Sequence, residues 1–361
     1  MRVSCSLNLR KGWRRLHCSS FGKFILTLAI GAIGGWSLWH FQMPLAWLLG
    51  AMLACGLAAL FGLPVALPKY SRPPMTATLG AMLGATFSPS VFDHINLWIV
   101  SLSGLVVYLI VLGTIVYLYF RRLVGLDPAT AYFSALPGGM VEMVIQGGEK
   151  GGDERMIALI HVVRIFLVVM TLPFLIQYVT GQNIGRNAAG YIALNSISGI
   201  DLIWIAATVL IGVSLATILR FPARFFLGPM IVSACVHYLG YSDFKIPTTV
   251  LAGAQIVIGA TIGCRFANIP LAYIARVALF SLGSTFLCIA ISLAFAFGVS
   301  YWSGDQLASL ILAYSPGGIT EMSLIALALG LEVPFVALHH IVRVVLVMGS
   351  ASFIFKNVKR Y

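Results

Sequence analysis

Pro137-Gly138-Gly139-Met140-Val141-Glu142, followed by a segment carrying His161 and Arg164, returns later in the chain as Pro316-Gly317-Gly318-Ile319-Thr320-Glu321 with His340 and Arg343. In both copies 19 positions separate Glu from His and three separate His from Arg. Each residue meets its counterpart 179 positions on. A Pro-Gly-Gly, a carboxylate, an imidazole and a guanidinium do not keep register across half a chain by chance. The sequence reads as an internal duplication, and what is duplicated is its polar feature.

The register extends outward from this motif. Pro44, Gly50 and Met52 match Pro222, Gly228 and Met230 at an offset of 178, and Pro68, Gly80, Gly84 and Phe87 match Pro247, Gly259, Gly263 and Phe266 at 179. Around these positions the chain is 60% hydrophobic and 9% charged, with a mean hydropathy of +0.96 over 361 residues. A soluble domain carries about 25% charge, too much more for this chain to cover a water-facing surface. A spanning helix needs about 20 apolar residues, and such stretches fill most of the sequence. The expected fold is all-α, a polytopic helical membrane protein of two homologous repeats with broken helices.

The spans fall near 24–41, 44–63, 75–90, 97–120, 128–147 and 156–179, then 201–219, 223–240, 248–265, 271–298, 306–329 and 334–355. The chain then divides into a basic N-terminal segment 1–23, repeat 24–180, a polar linker 181–200, repeat 201–356 and a basic tail 357–361. Six crossings per repeat would make the copies parallel; five and a re-entrant segment would invert them. Lysine and arginine counts in the loops do not decide between the two.

The net charge of +12 sits in short loops and at both ends, the pattern of topogenic charges and anionic-lipid contact. No water-soluble stretch is long enough for a DNA-binding domain. Arg2, Arg10, Lys11, Arg14, Arg15 and Lys23 precede the first span without an acid, which predicts a cytoplasmic N-terminus and an uncleaved first helix. The cysteines Cys5, Cys18, Cys55, Cys235, Cys264 and Cys288 lack metal-ligand spacing, so no metal and no cofactor is expected.

The fifth span opens at Asp127-Pro128 and meets Pro137-Gly138-Gly139 after ten residues. Proline removes a backbone donor and glycine tolerates left-handed geometry, so the helix is expected to break at mid-membrane depth. Non-helical backbone there survives only when buried in protein or lining a cavity. The break is therefore either a packed kink or a binding site of the kind discontinuous transporter helices make. A hairpin around Gly147–Asp153 would bring Glu142 to the depth of His161 and Arg164, with Glu321, His340 and Arg343 repeating the arrangement around Gly330–Pro334. Ionisable side chains inside spans face one another or a watery path. Two readings remain: a Glu142–Arg164 and Glu321–Arg343 pair holding each hairpin shut, or a proton- or substrate-binding set with a titrating histidine. The candidate binding residues are Pro137, Gly138, Gly139, Glu142, His161, Arg164, Pro316, Gly317, Gly318, Glu321, His340 and Arg343. Ser134, Met140, Tyr314 and Ile319 stand beside the breaks, and His339, matched by Ile160 in the first copy, reads as a packing residue.

With the duplicated Pro-Gly-Gly…Glu…His-x-x-Arg unit in hand, the chain resembles the bacterial AbrB-type membrane duplication family from about residue 25 to 355. That resemblance implies a multi-pass inner-membrane protein with a role in regulation of gene expression, and some members carry an ammonia monooxygenase label. One His and one Glu per repeat do not make an oxygenase metal set, and no enzymatic activity is expected. The expected partners are the lipid bilayer and a small-molecule or ion substrate, with a homo-oligomer compatible and no direct nucleic-acid binding. Secondary transport is the expected activity; the alternative is a ligand-sensing membrane regulator that moves nothing.

Overall fold

The computed structural model describes residues 20–87, 98–181, 193, 197–221 and 223–358. The N-terminal residues 1–19, most of the linker 181–200 and the end of the tail lie outside them. Every regular element among the described residues is helical. In order, the first half holds α1 (Ser20–His40), α2 (Ala46–Leu60), α3 (Arg72–Gly84), α4 (Trp98–Leu118, continued by a π turn to Val124), α5 (Pro128–Ala135), α6 (Met140–Glu149) and α7 (Glu154–Thr180). The second holds α8 (Gly199–Ile218), α9 (Arg224–Tyr238), α10 (Thr248–Gly263, with a 3-10 turn to Phe266), α11 (Leu271–Ser303), α12 (Leu307–Tyr314), α13 (Ile319–Ala328) and α14 (Val333–Val358). Seven helices among the described residues are long and apolar enough to cross a membrane, α2 and α13 being shorter apolar helices. The chain is an all-α polytopic membrane protein.

Even irregular backbone recurs at the sequence offset. Gln42 and Leu45, between α1 and α2, have φ of 56° and 48°; Arg220 and Ala223, between α8 and α9, have 55° and 48°. Left-handed geometry is uncommon for residues with a side chain, so its return at matched positions reports a matched turn.

Contacts give each helix its sense. Gly259 faces Leu48 and Gly263 faces Met52, so α10 runs parallel to α2; Gly80 faces Phe226 and Gly84 faces Met230, so α3 runs parallel to α9. In each pair the glycine lies directly on a neighbouring carbonyl, the close helix approach that small residues permit. The helices α4 and α11, counterparts by sequence, run antiparallel: Gly104 faces Val299, Tyr108 Oη lies 3.0 Å from Ser292 Oγ, and Tyr119 Oη donates to the Phe280 carbonyl at 3.1 Å.

The fifth span does not cross. Asp127 caps α5 by accepting from Thr130 N–H at 2.9 Å, and Pro128 fills the first turn, where no donor is needed. Eight and ten residues rise only about 12 and 15 Å, half of a bilayer core of about 30 Å. The end of α6 comes back beside the start of α5: Asp153 N–H donates to Thr130 Oγ1 at 2.7 Å, and Gly147 lies against Phe133. Thus α5 and α6 form a re-entrant hairpin with Pro137-Gly138-Gly139 at its tip. Its closing turn is shorter than the glycine run suggests, because Gly147 and Gly148 are still helical. In the second half Asp305, Gln306 and Ser309 share a cavity of about 220 Å³ with Glu332 and Phe335, which places the two ends of α12–α13 together. Here the cap is Gln306 rather than Asp305, and its side chain makes no capping bond. Because α4 and α11 are antiparallel, the hairpins that follow them start from opposite ends of the helix bundle.

Candidate functional site

The tips lie inside the protein. Pro137, Pro316 and Gly317 are buried, and Gly138, Gly139 and Gly318 are half-buried. Both tip glycines that precede a helix have ordinary extended backbone, with φ of −62° at Gly139 and −81° at Gly318. Space, not left-handed geometry, selects glycine here. A Cβ at Gly139 would collide with the Glu142 carboxylate, and one at Gly318 with that of Glu321. Each glutamate therefore folds back over its own tip, at the N-terminal end of α6 or α13, where the helix dipole favours an anion.

The carbonyl ends of α5 and α12 are held by the return helices. Arg164 donates from Nη1 to the Ser134 carbonyl and from Nη2 to the Leu136 carbonyl, both at 3.3 Å. Arg343 donates from Nη1 to the Ser315 carbonyl and from Nη2 to the Gly317 carbonyl at 2.6 Å. A guanidinium carries five donors and no acceptor, so one arginine can satisfy several carbonyls that a half-helix leaves open inside a membrane. One turn away, His161 Nε2 lies 2.9 Å from the Phe133 carbonyl and His340 Nε2 3.0 Å from that of Leu312. Arg164 Nη2 approaches His161 Nδ1 at 2.8 Å. The arginine can only donate, which makes Nδ1 the acceptor and leaves the proton on Nε2. His161 is thus a neutral, fully engaged structural ring rather than a free proton carrier.

The expected Glu142–Arg164 and Glu321–Arg343 pairs do not form. Among the described residues the ion pair within reach is Arg72 Nη2 to Glu321 Oε1, at 3.3 Å, with the glutamate side chain 5% exposed and the arginine 34%. The helix-end carbonyls claim Arg164 and Arg343 instead. Arg72 starts α3, and Arg265, from the 3-10 turn ending α10, donates to the Met140 sulfur at the other tip. Arg265 has Arg72 and Glu321 as electrostatic neighbours, so these two arginines stand between the hairpins. Sequence reasoning took Arg72 as a loop charge and passed over Arg265. A signal was available: Leu251 and Thr86 occupy their counterpart positions, so both break the repeat.

Of the positions beside the breaks, Ser134 and Tyr314 are fully buried, while Met140 and Ile319 are half-buried at the tips. His339 is buried between Phe335, its backbone carbonyl 2.8 Å from Nδ1, and Ser101, whose Oγ lies 3.0 Å from Nε2; it ties α14 to α4. No group of three His, Cys, Asp or Glu side chains converges among the described residues.

The family profile described as "Transition state regulatory protein AbrB" matches residues 47–359. The chain belongs to the AbrB family. Among its AbrB relatives, "Uncharacterized protein YhjN" of Bacillus subtilis (strain 168) is 28% identical over 348 residues, covering 91% of each chain. "Putative regulator AbrB" of Escherichia coli (strain K12) is 26% identical over 291 residues, covering 79% of this chain and 82% of its own. The AbrB match thus takes in both hairpins, both return helices and both unpaired-by-repeat arginines.

Proposed function

We propose that the protein is a secondary transporter built from two inverted repeats, with its site between the hairpin tips. The observation that carries this reading is the pair of half-membrane hairpins starting from opposite ends of the helix bundle, with charged side chains between their tips. Discontinuous helices meeting at the midplane of inverted repeats are the architecture of alternating access. In this reading the protein carries no enzymatic step.

The hairpins also supply an orientation. Counting α1, α2, α3, α4 and α7 as crossings gives five per half, and the senses of the packed pairs agree with strict alternation. Lys23, Lys69, Arg121, Arg122, Lys150, Arg155, Arg220, Arg224 and Arg276 then share one face. Lys245 falls opposite, with Asp201, Asp243, Asp305 and Glu332. Following the positive-inside rule, we take the first face as cytoplasmic and read the membrane as the bacterial inner membrane. Loop charges that conflict under six crossings per repeat separate under five.

A second reading, a membrane regulator that senses a ligand without moving it, draws on the printed name of the Escherichia coli relative. Single cysteines at Met140 and Ile319, in a protein lacking its six native cysteines, separate the two. Transport predicts labelling by a membrane-impermeant thiol reagent from both faces, in proportions that shift between conditions. Labelling from one face under every condition contradicts transport.

A further inference from the structure

We infer that the central site binds a small anion bearing carboxylate groups, gripped between Arg72 and Arg265; its passage across the membrane, though not its binding, rests on the transporter reading. The argument begins with the charges that repeat. Arg164 and Arg343 face the carbonyl ends of α5 and α12, and Glu142 and Glu321 lie over the amide ends of α6 and α13. A helix end carries about half a charge, opposite in sign to the side chain in each case. Within each copy one arginine and one glutamate cancel. The repeated unit is neutral as a whole.

Arg72 and Arg265 are added to that neutral frame, with Leu251 and Thr86 at their counterpart positions. Arg72 has Glu321. Arg265 donates to the thioether of Met140, a weak acceptor, and has Arg72 and the Glu321 carboxylate as electrostatic neighbours. Added to a frame whose own charges cancel, the two guanidiniums leave a positive excess inside a membrane protein, where ionisable groups are costly and mark a partner or a path. A cation would have to approach both guanidiniums. A carboxylate meets them in the planar, two-bond geometry that arginine favours. The glutamates folded over Gly139 and Gly318 show, in addition, that a carboxylate fits against these tips.

The test uses the full-length protein in lipid nanodiscs, with succinate as probe and the neutral succinamide at matched ionic strength as control. Succinate is expected to raise the thermal unfolding midpoint by about 2–4 °C, saturably, and succinamide to leave it unchanged. Arg265→Thr installs the residue of the counterpart position and orphans no carboxylate, so it should fold with an undiminished midpoint yet lose the succinate shift. Arg72→Leu should lose the shift as well; if it fails to fold, Arg265→Thr alone decides. The inference is overturned if succinate leaves the native protein unmoved, if Arg265→Thr keeps the full shift, or if succinamide shifts it equally. A succinate shift with one-sided cysteine labelling would remove transport and keep the anion site. Two-sided labelling without the shift would remove the anion and keep transport.

Discussion

The two hairpins carry the same motif and sit differently in the protein. Around α12–α13 nearly everything is packed: residues 308–317 and 320–326 are buried, and they join the main hydrophobic core. In the first hairpin α5 is buried as well, with Ala131 and Ala135 in the main core and Ala129, Tyr132 and Phe133 joining Met143 in a smaller cluster with Val347, Ala351 and Phe355 of α14. But α6 leaves Val141 56% and Ile145 53% exposed. Glu321 is buried and paired with Arg72, whereas Glu142 is half-buried and outside any ion pair among the described residues. Glycine also divides them, since α6 carries Gly147 and Gly148 where α13 has Ala326 and Leu327. Duplication supplied one binding element twice. On this packing we expect the second hairpin to act as a fixed wall and α6 of the first to be the more mobile part.

The comparison can be broken most severely at the arginines. Arg343→Leu strands the buried Ser315 and Gly317 carbonyls and should cost about 2–4 kcal/mol, an unsatisfied buried acceptor costing about 1–3 kcal/mol. Arg164→Leu removes two longer carbonyl bonds and the 2.8 Å contact to His161 Nδ1 and should cost about 1–3 kcal/mol. Folded yield and thermal midpoint in detergent measure both, and equal losses would remove the asymmetry. A smaller effect sharpens it at the carboxylates. Glu321→Gln leaves Arg72 without its partner and should cost about 1–2 kcal/mol, reduced because Arg72 is partly exposed. Glu142→Gln loses only a helix-end interaction and should stay within about 0.5 kcal/mol.

How much of this was legible from the residues divides along physical lines. The helices, the break at Pro137-Gly138-Gly139 and the cap at Asp127 follow from hydropathy, proline chemistry and N-cap preference, which act locally. The partners of Arg164 and Arg343 were misjudged because pairing opposite charges ignores the open carbonyls of a half-helix, visible only once α5 is seen to end inside the protein. His161 looked titratable for the same reason: its neutrality follows from the Arg164 donor at Nδ1 and from the Phe133 carbonyl at Nε2, 28 residues away in sequence. Arg72 and Arg265 come from helices far apart in the chain, so their meeting could not be read; their departure from the repeat could.

Hydrogen–deuterium exchange resolved to α6 and α13 tests most directly whether one hairpin moves against a fixed partner. Both helices are ten residues long and both begin at a Pro-Gly-Gly tip, so length and end effects cancel. If α6 is the more mobile part, its amides should exchange about 100-fold faster than those of α13, as expected for a segment with a small buried cluster against one in the main core. Equal protection of the two, or faster exchange in α13, would contradict the account.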